Sequence, residues 1–444
     1  MRTKTFKLAA LVTSAALLLG GCAAPAADPA ATDPATDSAA KGEIVIWHME
    51  GVPNRVAAFD ALAEEYNATN PDFTVRFETQ QWDEIYPKIA GTAQAGNQPD
   101  ILFAIPDFAT YVRSLGLGQP VTDVVEGIDA SQGLLDASKV AYQDGGEYWA
   151  VPLYGMVQLL WYNKVMFETA GLEAPKTYSE LLATAKALTK DGVSGIALPA
   201  GKNLATDQVL YSLMITGGAA NFFDESEGIA LDSPETVKAF SLYNDLLKYS
   251  PQDSANYAWG EPQAALNSGA AAMAIEKGQY LTPWAAESGL DPSQLGCAPI
   301  PVADNGGQSG SIYYSNGAMV LAEDDDRRAG AGAFLTWLMQ PDNYGDFLNA
   351  EPGLFLPVTT GGADLEQWRQ NEVLSQYPEC VDLLLKQSET GALFGFVDGQ
   401  YVEKIGLISG QNIFAQAIQQ MYVNGMPPAE ASIWAQEQMK AAIE

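Results

Sequence analysis

EIVIWHME, residues 43–50, places four apolar side chains, Ile44 to Trp47, in one unbroken run. A short run of this kind predicts a strand buried on both faces, as in a parallel sheet. Next, VAAFDALAEEYNATNP (56–71) spaces its apolar residues at helical intervals and stops at Asn70-Pro71. FTVRFETQQW (73–82) alternates Phe73, Val75 and Phe77, and DEIYPKIAGTAQAGNQ (83–98) returns to a helical pattern. PDILFAIPDF (99–108) is again mostly apolar. Strand, helix, strand, helix, strand predicts an α/β fold built on a parallel sheet with crossover helices. Such sheets bind ligands beyond the carboxyl ends of their strands. That edge would carry residues 48–51, 80–82 and 106–108.

Upstream, Arg2, Lys4 and Lys7 precede an apolar stretch from Leu8 to Leu19, which is signal-peptide length and too short to span a bilayer. Leu19-Gly20-Gly21-Cys22 resembles the lipobox of bacterial lipoproteins. The resemblance implies that the leader 1–21 is removed and that Cys22 is acylated, which would anchor the chain to the membrane. Residues 22–42 are rich in Ala, Pro, Asp, Thr and Ser and lack core-forming residues, so they are expected to form a disordered tether.

The chain has 444 residues, enough for two domains, and a formal net charge of -32. Nucleic acid and anionic lipid surfaces would repel it. No second long apolar run follows the leader. His48 is the single histidine, which disfavours a His-rich metal site or a Ser-His-Asp triad elsewhere. Besides Cys22 there are Cys297 and Cys380. In an exported chain these two predict a disulfide, the alternative being two separate buried thiols.

Further along, Thr177 with Glu180 predicts a capping box at a helix start, GVSGIALPAG (192–201) reads as a strand, and AAMAIEKGQY (271–280) reads as a strand with a loop at its carboxyl end. EIVIWHME, PDILFAIPDFATYV (99–112), YWAVPLYGMVQLLWYNKVMFETAGLEAPKTYSELLATAKAL (148–188), ALNSGAAAMAIEKGQY (265–280) and FLNAEPGLFLPV (347–358) together resemble the bacterial extracellular solute-binding proteins of family 1. These are the sugar-binding lipoproteins of ABC importers, of which maltose-binding protein is a distant member. WYNKVMFETAGLEAPKTYSELL (161–182) is the most specific stretch.

The resemblance implies a type II periplasmic-binding-protein fold. Each of its two lobes would hold a mainly parallel sheet flanked by helices, with the ligand cleft between them. Lobe one would comprise 43–153 plus 310–352, and lobe two 154–309 plus 353–444. The chain would be a monomeric, non-enzymatic, cofactor-free and metal-free protein. It would hand a neutral mono- or oligosaccharide to the membrane permease. A surface enzyme acting on glycosides through paired carboxylates is the alternative, and abundant Asp and Glu do not discriminate against it.

A sugar site needs aromatic platforms and polar side chains that bond hydroxyls. The strand ends offer Glu50, Gln80, Trp82, Asp107 and Phe108. Asp107 also falls on the family's sugar-binding pattern F-x-x-x-D, as Phe103-Ala104-Ile105-Pro106-Asp107; its other reading is a helix N-cap. Tyr154 and Gln158 sit at the expected hinge. Tyr280 occupies the place of a stacking Trp in the family, in competition with Trp284. Asn203, Trp259, Tyr313 and Phe355 complete the candidates.

Overall fold

The computed structural model describes residues 41–69 and 72–444. The leader, Cys22 and all of the tether before residue 41 lie outside the described residues.

Strand β1 (Gly42–His48) buries Ile44, Ile46 and Trp47. Helix α1 (Pro53–Thr69) turns Phe59, Leu62, Ala63 and Tyr66 inward, the i, i+3, i+4, i+7 stripe of a helix packed on a sheet. Strand β2 (Phe73–Thr79), helix α2 (Trp82–Ala95), strand β3 (Ile101–Ala104) and helix α3 (Pro106–Ser114) follow. β1 lies between β2 and β3 and is parallel to both, with Ile44 opposite Val75 and Ile46 opposite Ile101. The strand Tyr313–Val320 joins antiparallel beside β3, and Val151–Val157 closes the five-stranded sheet.

Val151–Val157 runs through Gln158 directly into Leu159–Asn163, the central strand of a second sheet. This second sheet departs from the expected parallel form. Leu159–Asn163 is antiparallel to both its neighbours, Met273–Glu276 and Leu295–Ala298. It enters from the first lobe as a continuation of the crossing strand, so strands that start within the second lobe run against it. Residues 192–201 do not form the expected strand. They make two parallel bridges, Ser194 to Ala271 and Ala197 to Ala274, because Gly192, Gly195 and Pro199 interrupt a continuous ladder.

Three passages connect the sheets. Gln158 marks the first. Its backbone N–H donates to Ser311 Oγ at 3.1 Å, and its side-chain oxygen accepts from Ser212 Oγ at 2.7 Å. Ile312 N–H donates to the same Ser212 hydroxyl at 3.0 Å, which ties in the returning strand. The third passage pairs Leu356 with Gly155 through two backbone hydrogen bonds of 2.7 and 3.0 Å. The expected capping box is present: Thr177 accepts from Glu180 N–H and Glu180 accepts from Thr177 N–H. Cys297 and Cys380 form the expected disulfide, joining the strand Leu295–Ala298 to the helix Pro378–Ser388.

Candidate functional site

A cavity of about 350 Å³ opens where the carboxyl ends of the first sheet face the second lobe. From the first lobe it is lined by Met49, Glu50 and Arg55, by Gln81, Trp82 and Asp83, and by Ile105. Gln208, Trp259, Gln263, Lys277 and Gln279 line it from the second lobe, and Met156 of the crossing strand forms part of the wall.

β1 ends in His48, whose ring is enclosed by Phe59 and Phe77 at centroid distances of 4.8 and 5.7 Å. Burial pulls its pKa down to about 4, so the ring is neutral at physiological pH. Nδ1 accepts the Glu50 N–H at 3.2 Å, which leaves the proton on Nε2, where Thr79 Oγ1 lies at 3.3 Å. His48 thus holds the loop that presents Glu50; it is part of the scaffold, as a histidine in a shell of phenylalanines should be.

The Glu50 carboxylate is shared. Oε1 accepts from Tyr154 at 2.8 Å and Oε2 from Arg55 at 2.7 Å. Arg55 also donates from Nε to Glu351 at 3.0 Å, and Asn54 supports Glu351 at 2.9 Å. Burial opposes the guanidinium charge, but the two carboxylates outweigh it and hold Arg55 above its ordinary value. The trio is formally one charge negative, so Arg55 offers no uncompensated positive charge to a ligand.

The opposite wall repeats the arrangement. Lys277 donates to Gln208 Oε1 at 2.6 Å and to Glu276 Oε1 at 3.1 Å, and its ammonium lies 5.7 Å from the Trp259 ring centroid. Glu276 Oε2 and Gln279 Oε1 are buried and meet no hydrogen-bond donor. Gln279 lines the cavity through the rest of its side chain.

Of the candidates read from sequence, Glu50, Trp82 and Trp259 line this cavity. Tyr154 stands behind Glu50 with Phe355 stacked on it at 3.9 Å. Gln158 does not line the cavity: its side-chain oxygen is bonded to Ser212, and its Nε2 is buried without a partner. Gln80 is buried against Lys88 and yields its place to Gln81. Phe108 is fully buried in the core, edge-on to Trp82 at 5.9 Å. Asn203 caps the helix Leu204–Gly217 through Thr206 N–H. Tyr313 bonds Ser138 at 2.7 Å inside the first lobe.

Tyr280 and Trp284 are both fully buried. Tyr280 stacks on Trp161 at 5.5 Å, and Trp284 donates to Asp291 O at 3.3 Å. The aromatic face on that wall is Trp259. Asp107 does not line this cavity and is not an N-cap. It is the second residue of α3, after an extended Ile105, and Oδ2 accepts from Ser409 Oγ at 2.6 Å.

Sequence reasoning placed Gln81 on the strand-end edge with its neighbours but missed Arg55, Asp83, Gln208, Gln263, Lys277 and Gln279. Lys277 and Gln279 follow the carboxyl end of Met273–Glu276, so the strand-end rule applied to the second lobe would have found them. Arg55 lies in the first turn of α1, beside the same edge.

Residues 52–345 match the bacterial extracellular solute-binding protein family. A putative ABC transporter periplasmic-binding protein of Escherichia coli (strain K12) is 25% identical over 430 residues, covering 95% of this chain and 94% of its own. A maltotriose-binding protein of Pyrococcus abyssi is 25% identical over 365 residues, covering 81% of this chain and 76% of its own. In three dimensions, a solute-binding protein from Agrobacterium radiobacter K84 in complex with ribitol superposes with a TM-score of 0.77 at 21% identity, covering 90% of this chain and 99% of its own. The chain belongs to the bacterial extracellular solute-binding protein family, and it is an extracytoplasmic, non-enzymatic, substrate-binding component of an ABC transporter.

Proposed function

We propose that this chain captures a neutral mono- or short oligosaccharide, or a related polyol, between its lobes and delivers it to a membrane permease. The observation that carries this reading is the charge pairing of the cavity. Both cations on its walls, Arg55 and Lys277, are already engaged by buried carboxylates. A phosphorylated or carboxylated ligand would have to displace them. A neutral polyol has hydroxyls for polar lining residues such as Glu50 and Gln81 and an apolar face for Trp82 and Trp259. A cavity of about 350 Å³ lies at the small end of ligand sites, which favours one or two sugar rings. Maltotriose and ribitol, named for two of the similar proteins, are of this neutral class.

Lobes of 43–153 plus 310–352 and of 154–309 plus 353–444 would close over the ligand about Gln158. Cys22, acylated after removal of the leader, would keep the body at the membrane. The test is a thermal-shift screen of neutral sugars and polyols, maltotriose and ribitol among them, against sugar phosphates and uronic acids. A ligand at a hundredfold excess over its Kd adds about 2.7 kcal/mol of stability. Stabilisation by neutral compounds alone is expected; stabilisation only by anionic ones would overturn the reading.

A further inference from the structure

Residues 401–410 belong to the second lobe but lie along α3 of the first. On the second-lobe side, Lys404 donates to Glu227 O at 3.0 Å and Tyr211 donates to Leu393 O at 3.0 Å. Against the first lobe, Tyr401 OH accepts from Arg113 at 3.4 Å, and the guanidinium lies 5.6 Å from its ring. Gly406 abuts the backbone of α3: a Cβ there would stand 2.8 Å from Tyr111 N. Gly410, at φ 79°, abuts Tyr86, whose ring a Cβ would approach to 2.5 Å. Between the two glycines, Ser409 Oγ meets Asp107 Oδ2 and the Tyr86 hydroxyl. The segment is a strap from one lobe to the other, and Asp107 is its innermost fastening.

Burial outweighs what the Ser409 hydroxyl and two nearby backbone N–H groups offer Asp107 as an anion. Its Oδ1 has no hydrogen-bond partner. A small cavity of about 10 Å³ is lined by Asp107 itself with Asp207, Ser409, Asn412 and apolar Phe394, Ile408 and Phe414. The titratable groups facing it are Tyr86 from α2, Tyr142, Tyr314 from the strand Tyr313–Val320, and Asp207 from the helix Leu204–Gly217. None is a cation. Arg113, further along α3, is engaged by Asp144 at 2.6 Å.

We infer that Asp107 is a positioning residue for lobe closure, holding the 401–410 strap against α3 when uncharged and loosening it when ionised. Burial pushes its carboxyl up to about 6, against 3.8 for a free one, although Ser409 and two backbone N–H groups pull it down. With the strap undocked, water returns to the carboxyl and the ordinary value is restored. The docked state therefore holds the proton more tightly. Docking is strongest in acid, weakens as pH rises from about 4 to about 6, and changes little above that. Asp207 is pushed up to about 8 by burial, and Asp107 adds to it, but its Oδ1 is bonded within the second lobe by Ala415 N–H at 2.6 Å.

The test is hydrogen exchange of the 401–410 amides in the full, ligand-free chain, with rates corrected for the intrinsic effect of pH. Protection in the wild type should fall about tenfold between pH 5 and pH 7. Asp107→Asn should stay protected at both, because the amide still accepts from Ser409. Ser409→Ala should be poorly protected at both, and Asp207→Asn should keep the tenfold fall. Equal wild-type protection at the two pH values would overturn the inference. So would an Asp107→Asn strap as open as the wild type at pH 7, a protected Ser409→Ala strap, or a pH dependence that vanishes with Asp207→Asn.

Discussion

Tyr154 donates its phenolic proton to Glu50 across 104 residues of chain, at 2.8 Å. Tyr154 lies on the strand that crosses between the lobes, and Glu50 on the loop that ends β1. The bond therefore fixes the cleft carboxylate to the segment about which the lobes would move.

Tyr154→Phe removes this donor and keeps the ring stacked on Phe355. Affinity for the neutral ligand should fall by about 1 kcal/mol, roughly fivefold, with little change in melting temperature. Calorimetry beside thermal melting separates the two effects. Unchanged affinity would mean that Arg55 alone orients Glu50.

Arg55→Met leaves Glu50 and Glu351 facing each other with their shared cation gone. Both side chains are under 10% exposed. Removing one partner from a buried charge cluster costs about 3–5 kcal/mol, so denaturant unfolding should show a large loss of stability. A loss below about 1 kcal/mol would contradict the closed geometry of this wall.

His48 gives the protein a single imidazole signal. Its folded ring should titrate near pH 4 and not near 6.5. The unfolded ring takes its proton near 6.5, so the stability contributed by a neutral His48 is complete above that pH. It is lost, by up to about 3 kcal/mol, as pH falls to about 4. NMR titration of the ring decides this; a midpoint near 6.5 would place His48 in solvent.

The disulfide closes a loop of 83 residues between Cys297 and Cys380. A loop of that length contributes about 4.5 kcal/mol in the chain-entropy account, so mild reduction should lower the melting temperature by several degrees. Mass spectrometry of alkylated, unreduced protein checks the bond itself; two alkylated thiols would remove it.

Cys22→Ala should release the protein from the membrane or leave its leader uncut. Fractionation of cells carrying the variant tests this, and a variant that remains membrane-bound and correctly processed would show that no lipid sits on Cys22.

The order β1, α1, β2, α2, β3 was legible in residues 43–108 because strands buried on both faces leave unbroken apolar runs and their crossover helices leave a 3.6-residue period. The capping box at Thr177 and Glu180 was legible because both partners lie within one turn. Export and an even remainder of cysteines pointed to the pair Cys297 and Cys380. What these signals share is locality, or a count so small that only one pairing was possible.

The cleft was decided by tertiary packing. A side chain just past a strand can turn into the cleft or into its own lobe, and its spacing is the same in either case. Gln80 and Gln81 are neighbours, yet one is buried against Lys88 and the other lines the cavity. Tyr280 and Trp284 were indistinguishable as platforms in the sequence; both went into the core, and Trp259 took the wall. Asp107 matched a ligand pattern, but the partner that covers it is Ser409, 302 residues away. Local sequence carries propensity and period, whereas the neighbour that occupies a carboxylate is set only when two lobes meet.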